Sequence, residues 1–153
     1  MAPWIIYSLL AAVSAALVGI FSKVGIAGMD ATLATAVRGL IIALFMGGAA
    51  LALGKWQTLS QATPKAWMFI TLTAVAGGLS WLWGFLALKA GGDVTAVSAL
   101  DRLSMVLIVI FAVLFLGEEF TLAKVFGALL IVLGTFLVSF KPEQWKAMFR
   151  WFT

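Results

Sequence analysis

The feature of this sequence that most constrains its fold is a series of five long apolar runs. They cover residues 3–21, 32–53, 66–88, 95–116 and 122–140, and each is roughly 19 to 23 residues long, enough to cross a bilayer as a helix. Exposed backbone cannot be satisfied in hydrocarbon, and no run alternates apolar with polar residues, so we expect helices rather than barrel strands. The sequence therefore predicts an all-α integral membrane protein, with residues 1–140 forming a single domain of five transmembrane helices.

Composition excludes most other classes of protein. The chain is 64% apolar and 10% charged, with a mean hydropathy of +1.15, whereas a water-soluble domain needs about a quarter of its residues charged. It has no Cys and no His, which removes disulfides, thiolate and imidazole chemistry and the usual zinc ligands. It also lacks a glycine-rich phosphate loop. We therefore expect no enzymatic activity, no ATP hydrolysis, no metal and no cofactor.

The net charge of +4 predicts orientation rather than nucleic-acid binding, because the basic residues stand singly between apolar runs. With five spans the termini lie on opposite sides. One side carries Lys55, Lys65 and Lys124, and the other carries Lys23, Arg38, Lys89, Arg102, Lys141, Lys146 and Arg150. The positive-inside rule places the C-terminus in the cytoplasm. Without Arg38 and Arg102 the bias falls to five against three, which leaves dual insertion open.

Residues 141–153 form an amphipathic tail. Trp145, Phe149 and Phe152 recur at helical spacing between Lys146 and Arg150. This pattern is typical of a short helix that lies in the membrane surface.

Charged residues inside two spans are the strongest functional signal. Arg38 in the second run, and Asp101, Arg102 and the nearby Ser104 in the fourth, precede uncharged stretches of about 14 or 15 residues, roughly 21 to 23 Å of helix against a core of about 30 Å. A charge at mid-span costs about 2.5 to 3.5 kcal/mol, so such groups usually pair or line a watery cavity. We expect Asp101 to contact Arg38 or Arg102 and to be the best proton carrier. The alternative is that both arginines snorkel to lipid phosphates.

Aromatic residues deep in the third run form a second candidate site. Tryptophan usually sits at the interface, but Trp81 and Trp83 come about 14 to 16 residues after Trp67. Together with Ser80 and the neighbouring glycines, they predict a groove with an aromatic wall for an amphipathic or cationic solute. Plain helix packing explains the same residues equally well.

Several short motifs, spread over nearly the whole chain, resemble a known family. They are Ser22-Lys23, residues 30–38 (DATLATAVR), 78–81 (GLSW), Ala87-Leu88, 101–104 (DRLS), 114–118 (LFLGE) and 127–134 (GALLIVLG). Together they resemble a single EamA-type domain of the drug/metabolite transporter superfamily, and more closely its small five-helix bacterial and archaeal branch. The resemblance implies a carrier in a prokaryotic plasma or inner membrane that moves small metabolites or drugs by alternating access.

Larger relatives resemble two such halves fused in opposite orientation, which implies that a lone half needs a partner. We expect at least a dimer, with an antiparallel homodimer favoured over a parallel one, or a heterodimer with an inverted paralogue. Many superfamily members have Pro early in the fourth helix of a repeat, whereas this chain reads Asp101-Arg102-Leu103-Ser104. That departure prevents transfer of a substrate from the ten-helix members.

Three functions fit this sequence. The leading hypothesis is a secondary transporter of small molecules. The alternatives are a lipid-handling flippase or its subunit, for which in-span cations and aromatic rings would also serve, and an accessory membrane protein without transport of its own.

Overall fold

The computed structural model describes residues 2–140, and all its regular structure is helical. The long helices are α1 (Pro3–Gly25), α2 (Ala31–Ala52), α3 (Pro64–Lys89), α4 (Val94–Asp101), α5 (Ser104–Leu116) and α6 (Leu122–Ser139), with short 3₁₀ helices at Ile26–Gly28 and Lys55–Gln61. Five segments are long and apolar enough to cross a membrane, and α4 and α5 together make the fourth. The predicted five-span, all-α fold is confirmed for this part of the chain. The predicted tail helix at 141–153 lies outside the described residues.

Side-chain caps set the starts of three helices. Asp30 accepts hydrogen bonds from the backbone N–H groups of Thr32 and Leu33, at 2.8 and 3.2 Å, and begins α2. Thr63 accepts from Ala66 N at 3.2 Å before α3, and Thr121 accepts from Lys124 N at 3.3 Å before α6. Each oxygen satisfies an N–H that has no partner inside its helix.

The fourth span differs from the expected continuous helix, because it breaks at Arg102 and Leu103. The N–H groups of Arg102, Leu103, Met105 and Val106 bond to the carbonyl three residues back, each at 3.0 Å, instead of four. The cause lies on another helix. Thr135 of α6 donates its hydroxyl to the carbonyl of Ala99 at 3.1 Å, and Ala99 O is the acceptor that Leu103 N–H would use in an α-helix. A side chain that enters the hydrogen-bond ladder in this way kinks a helix.

The chain divides into two compact units at Gly91, which has φ of +97°. In the N-terminal unit (α1–α3), α2 packs on α3, and α1 packs on α3 more lightly. In the C-terminal unit (α4–α6), α6 packs on both halves of the fourth span. Gly117, at φ +67°, ends α5, and Lys124 bridges the next loop through Glu118 Oε2 and Glu119 O, both at 2.9 Å.

Among the described residues, three of the six buried apolar side chains are alanines, and most large apolar side chains are exposed. Ala31 and Ala34 are buried on α2, and Ala112 is buried on α5. In contrast Phe45 and Phe115 are more than 70% exposed. Small interface residues and an apolar outer surface are the arrangement that a lipid solvent favours.

Candidate functional site

The candidate site in the N-terminal unit is built on one face of α2. Ala31, Ala34 and Arg38 are separated by three and four residues, so they share a face of the helix. The two alanines are buried. Because α2 packs on α3, the same face carries Arg38 to the rings of α3: the guanidinium carbon lies 4.3 Å from the ring centroid of Trp81 and 5.9 Å from that of Phe85. Both are within the range of a cation–π interaction.

The positions of the two rings along α3 show how far along the helix pair the Arg38 guanidinium lies. The start of α2 and the end of α3 lie together, since Lys89 Nζ donates to Met29 O at 3.0 Å. Measured from that end, Arg38 is about 10 Å along α2, Phe85 is about 6 Å along α3 and Trp81 is about 12 Å along it. The guanidinium is closer to the deeper ring. Arg38 is therefore directed across to the rings of α3.

Two lysines lie at the end of the N-terminal unit nearest Arg38. Lys23 donates to Leu88 O at 3.2 Å, which places its ammonium at the end of α3 near Lys89. The one acidic residue of the first 91 is Asp30. Hydrogen bonds from the N–H groups of Leu33 and Thr32, with a smaller contribution from Lys89, hold the pKa of Asp30 below its ordinary value. The carboxylate thus stays ionised and is occupied in capping α2.

Only one of the aromatic candidates joins this cluster. Trp81 is half-buried under Arg38, whereas Trp83, two residues on and about 200° around the helix, is 63% exposed. Ser80 is also exposed. A Cβ added at Gly78 or Gly84 would meet no atom within 4 Å, as at the other described glycines, so the predicted groove beside Trp81 stays a prediction.

The candidates of the C-terminal unit gather at the helix break. Asp101 is the last residue of α4, Arg102 lies in the break and Ser104 is the first residue of α5; all three are exposed. Lys124 and Glu118 form a salt bridge in this unit, and no direct ion pair joins Asp101 to Arg102 among the described residues. The expected contact of Asp101 with Arg38 or Arg102, direct or through water, stays a prediction.

Two residues that shape these sites escaped the sequence analysis. Phe85 adds a second ring beside Arg38, and its signal is the spacing of four residues from Trp81. Thr135 is the buried polar residue of α6 and bonds the broken span. Its signal is a hydroxyl in an otherwise apolar run, because such groups usually bond across helices in a membrane.

No metal centre is formed by the described residues, which contain no group of three or more potential acidic, His or Cys ligands. Cationic and aromatic side chains instead dominate the N-terminal site. Such groups bind and orient solutes and offer no nucleophile and base pair.

Comparison with known proteins agrees with this architecture. The EamA-like transporter family matches residues 2–140, almost all of the chain. A protein of Sinorhizobium sp described as "Uncharacterized transporter in cobO 3'region" is 40% identical over 136 residues, which make up 89% of this chain and 96% of that protein. No solved structure matches significantly. Both names denote transporters rather than enzymes. This multi-pass membrane protein is therefore a member of the EamA-like transporter family, as its sequence motifs predict.

Proposed function

We propose that this member of the family is a secondary transporter of small metabolites or drugs, working without ATP by alternating access as an oligomer in a prokaryotic inner membrane. The observation that supports the mechanism most directly is the broken fourth span. Four backbone hydrogen bonds there are of the i→i−3 type, and Asp101, Arg102 and Ser104 lie at this break. Discontinuous helices with polar groups at the break are a recurring feature of substrate and ion sites in secondary transporters.

The break also suits movement. A short 3₁₀ stretch inside a helix often marks a hinge, because its bonds are weaker than those of the flanking turns. Asp101 at this hinge is our candidate for the coupling group. Protonation would remove its charge and change which conformation the hinge favours.

An oligomer follows from the size of the bundle. Five helices leave little room for a central path, and alternating access usually needs two repeats that move against each other. In the described residues only six apolar side chains are buried, so most of the apolar surface is left for lipid or for a second copy. We favour an antiparallel pair, because the larger relatives resemble two halves fused in opposite orientation. The five-to-three charge bias permits both orientations without requiring them.

The transport proposal is tested with the purified chain in proteoliposomes. A panel of labelled amino acids, sugars and cationic drugs is offered under a pH gradient, with no ATP present. We expect gradient-driven accumulation of at least one solute and its collapse with an ionophore. Scrambling of a labelled phospholipid without solute uptake would favour the flippase, and inactivity in both assays would favour an accessory subunit.

Orientation is tested with single cysteines, for which the chain is suited because it has none of its own. Ser60→Cys and Ala90→Cys place exposed thiols in the loops after the second and third spans, on opposite sides of the membrane. Both should react with an impermeant reagent added to intact cells if insertion is dual. Reaction at one position alone, in cells without an inverted paralogue, would reject the antiparallel dimer.

A further inference from the structure

We infer that Arg38 and Trp81 form a binding subsite for an oxyanion, the carboxylate or phosphate group of a ligand. The inference deepens the proposed transport function, on which its physiological meaning rests, by naming the class of substrate. The sequence predicts that the aromatic residues of the third span bind a cationic solute. The inference reverses that expectation, because Trp81 already contacts the cationic side chain of Arg38.

The first support is the way in which the guanidinium is engaged. A guanidinium stacked on a ring uses its π face and leaves its edge N–H donors available, and those edges match the two oxygens of a carboxylate or phosphate. The guanidinium carbon of Arg38 lies 4.3 Å from the centroid of the Trp81 ring, within the range of a cation–π interaction. In the described part of the N-terminal unit, no ion pair involves Arg38 and no side-chain hydrogen bond uses its donors.

The second support is the charge balance. Residues 1–91 contain five cations, Lys23, Arg38, Lys55, Lys65 and Lys89, against the single carboxylate of Asp30. That carboxylate is bonded to the first turn of α2. A charge within a span is costly unless it is paired. The N-terminal unit supplies a cation in its span and no free carboxylate of its own to pair with it, so a partner has to come from outside this unit, and we take it to be the anionic group of a ligand.

The third support is the surroundings of the ring and the guanidinium. Gly78 and Gly84 lie three residues on either side of Trp81, so neither position contributes a side chain that would cover the ring. Lys23 and Lys89 stand at the end of the unit nearest Arg38, where their carbonyl bonds to Leu88 and Met29 hold them. Basic side chains raise the local concentration of anions. These two lysines lie about two helical turns from Arg38.

The experiment measures binding, so it does not depend on transport. The full chain is placed in phosphatidylcholine nanodiscs, and its Tm is followed against benzoate, inorganic phosphate and benzylammonium at constant ionic strength. A ligand that prefers the folded state raises Tm in a saturable way. We expect saturable shifts with one or both anions and none with benzylammonium. Arg38→Gln should weaken anion binding at least tenfold, and the charge-matched control Lys65→Gln, at the opposite end of α3, should leave it unchanged.

A conservative variant guards against loss of folding. Arg38→Lys keeps the charge but loses the planar fork, so we expect it to fold and to bind the anion severalfold more weakly than the wild type. Anion binding that survives unchanged in both Arg38 variants, or a preference for benzylammonium, would overturn the subsite.

A further measurement, with added lipid, distinguishes a lipid headgroup from a soluble anion as the source of the oxyanion. Stabilisation by added phosphatidylglycerol that disappears in Arg38→Gln, with no response to benzoate or phosphate, would assign the subsite to a lipid headgroup. An Arg38-dependent response to the soluble anions assigns it to a solute. Anion binding without gradient-driven uptake would contradict the transport proposal alone, and Arg38-independent uptake of cations would contradict the subsite alone.

Discussion

The two units of this protein accommodate an arginine within an apolar span in opposite ways. In the N-terminal unit α2 stays continuous, and the Arg38 guanidinium lies beside the rings of Trp81 and Phe85. In the C-terminal unit the fourth span gives way at Arg102, and the charged side chains are exposed at the break. In the N-terminal unit the backbone stays helical and the arginine side chain lies against aromatic rings. In the C-terminal unit the backbone departs from the α-helix and the charged side chains are exposed. In the mechanism that we propose, the first unit recognises the substrate and the second supplies the movement.

The largest effect should come from Asp101→Asn. If the break carries the coupling group, this change should lower uptake driven by a pH gradient more than tenfold, because an amide cannot exchange a proton. Exchange of substrate across a membrane without a gradient should persist, since it needs movement but no net proton transfer. Both rates are measured in proteoliposomes, with Glu119→Gln, an exposed loop acid, as the control. Equal losses in both assays would show that Asp101 supports the fold and not the coupling.

A smaller effect is expected from the aromatic floor of the site. Trp81→Leu removes the cation–π contact, which is worth about 0.5 to 2 kcal/mol, so the Kd for an anion should rise about 2- to 30-fold. Trp83→Leu makes the same chemical change on the outward face of the same helix and should raise it less. Calorimetric titration of both variants with benzoate gives the comparison. Equal losses would mean that the indoles act through general packing.

Thr135→Val tests what holds the break in place. It replaces the hydroxyl that bonds Ala99 O by a methyl of similar size. Interhelical hydrogen bonds in membranes contribute about 0.6 kcal/mol on average and at most about 1.7, so the free energy of unfolding should fall by that amount. Thr135→Ser retains the donor and is the matched control. Denaturation in mixed micelles measures both, and a loss that is as large in the serine variant would point to packing instead.

The smallest effect concerns the cap of α2. The pKa of Asp30 is lowered by the N–H groups of Leu33 and Thr32, so its charged form stabilises the folded chain. That contribution is complete above its ordinary pKa of 3.8 and disappears as the pH falls through the lower folded value. The Tm of Asp30→Ala should therefore lie below that of the wild type at pH 6, and the two should approach each other under strong acid. Asp30→Asn keeps an acceptor and should show a smaller deficit with no such pH dependence. A constant deficit in Asp30→Ala down to the lowest pH would contradict the charge-based cap.

The sequence predicts well what depends on local chemistry. Hydropathy identifies the five spans, and Asp30, Thr63 and Thr121 mark helix starts because capping is a matter of two or three neighbouring residues. The charge of Arg38 within a span is likewise visible without a structure. The sequence does not show which face of each helix packs against its neighbours. Trp81 and Trp83 have the same side chain two residues apart, yet only packing of α2 on α3 decides which one meets the arginine.

The broken span shows a second limit. Residues 95–116 contain neither Pro nor Gly, the usual local causes of a break. The hydroxyl that diverts the carbonyl of Ala99 comes from a residue 36 positions later. A contact of that range has no signature in the span itself.

The hydrogen-bond pattern at this break also determines the angle through which α5 is rotated about its axis relative to α4. A 3₁₀ turn has 3.0 residues where an α turn has 3.6, and it rises about 2.0 Å per residue instead of 1.5 Å. If three residues around Leu103 changed from one pattern to the other, α5 would rotate by about 60° about its axis and shift along it by about 1.5 Å. The outward residues of α5 would turn towards a different neighbour without any loop being lengthened. Such a change of hydrogen-bond pattern at the break would thus reach the other end of the span as a rotation of α5.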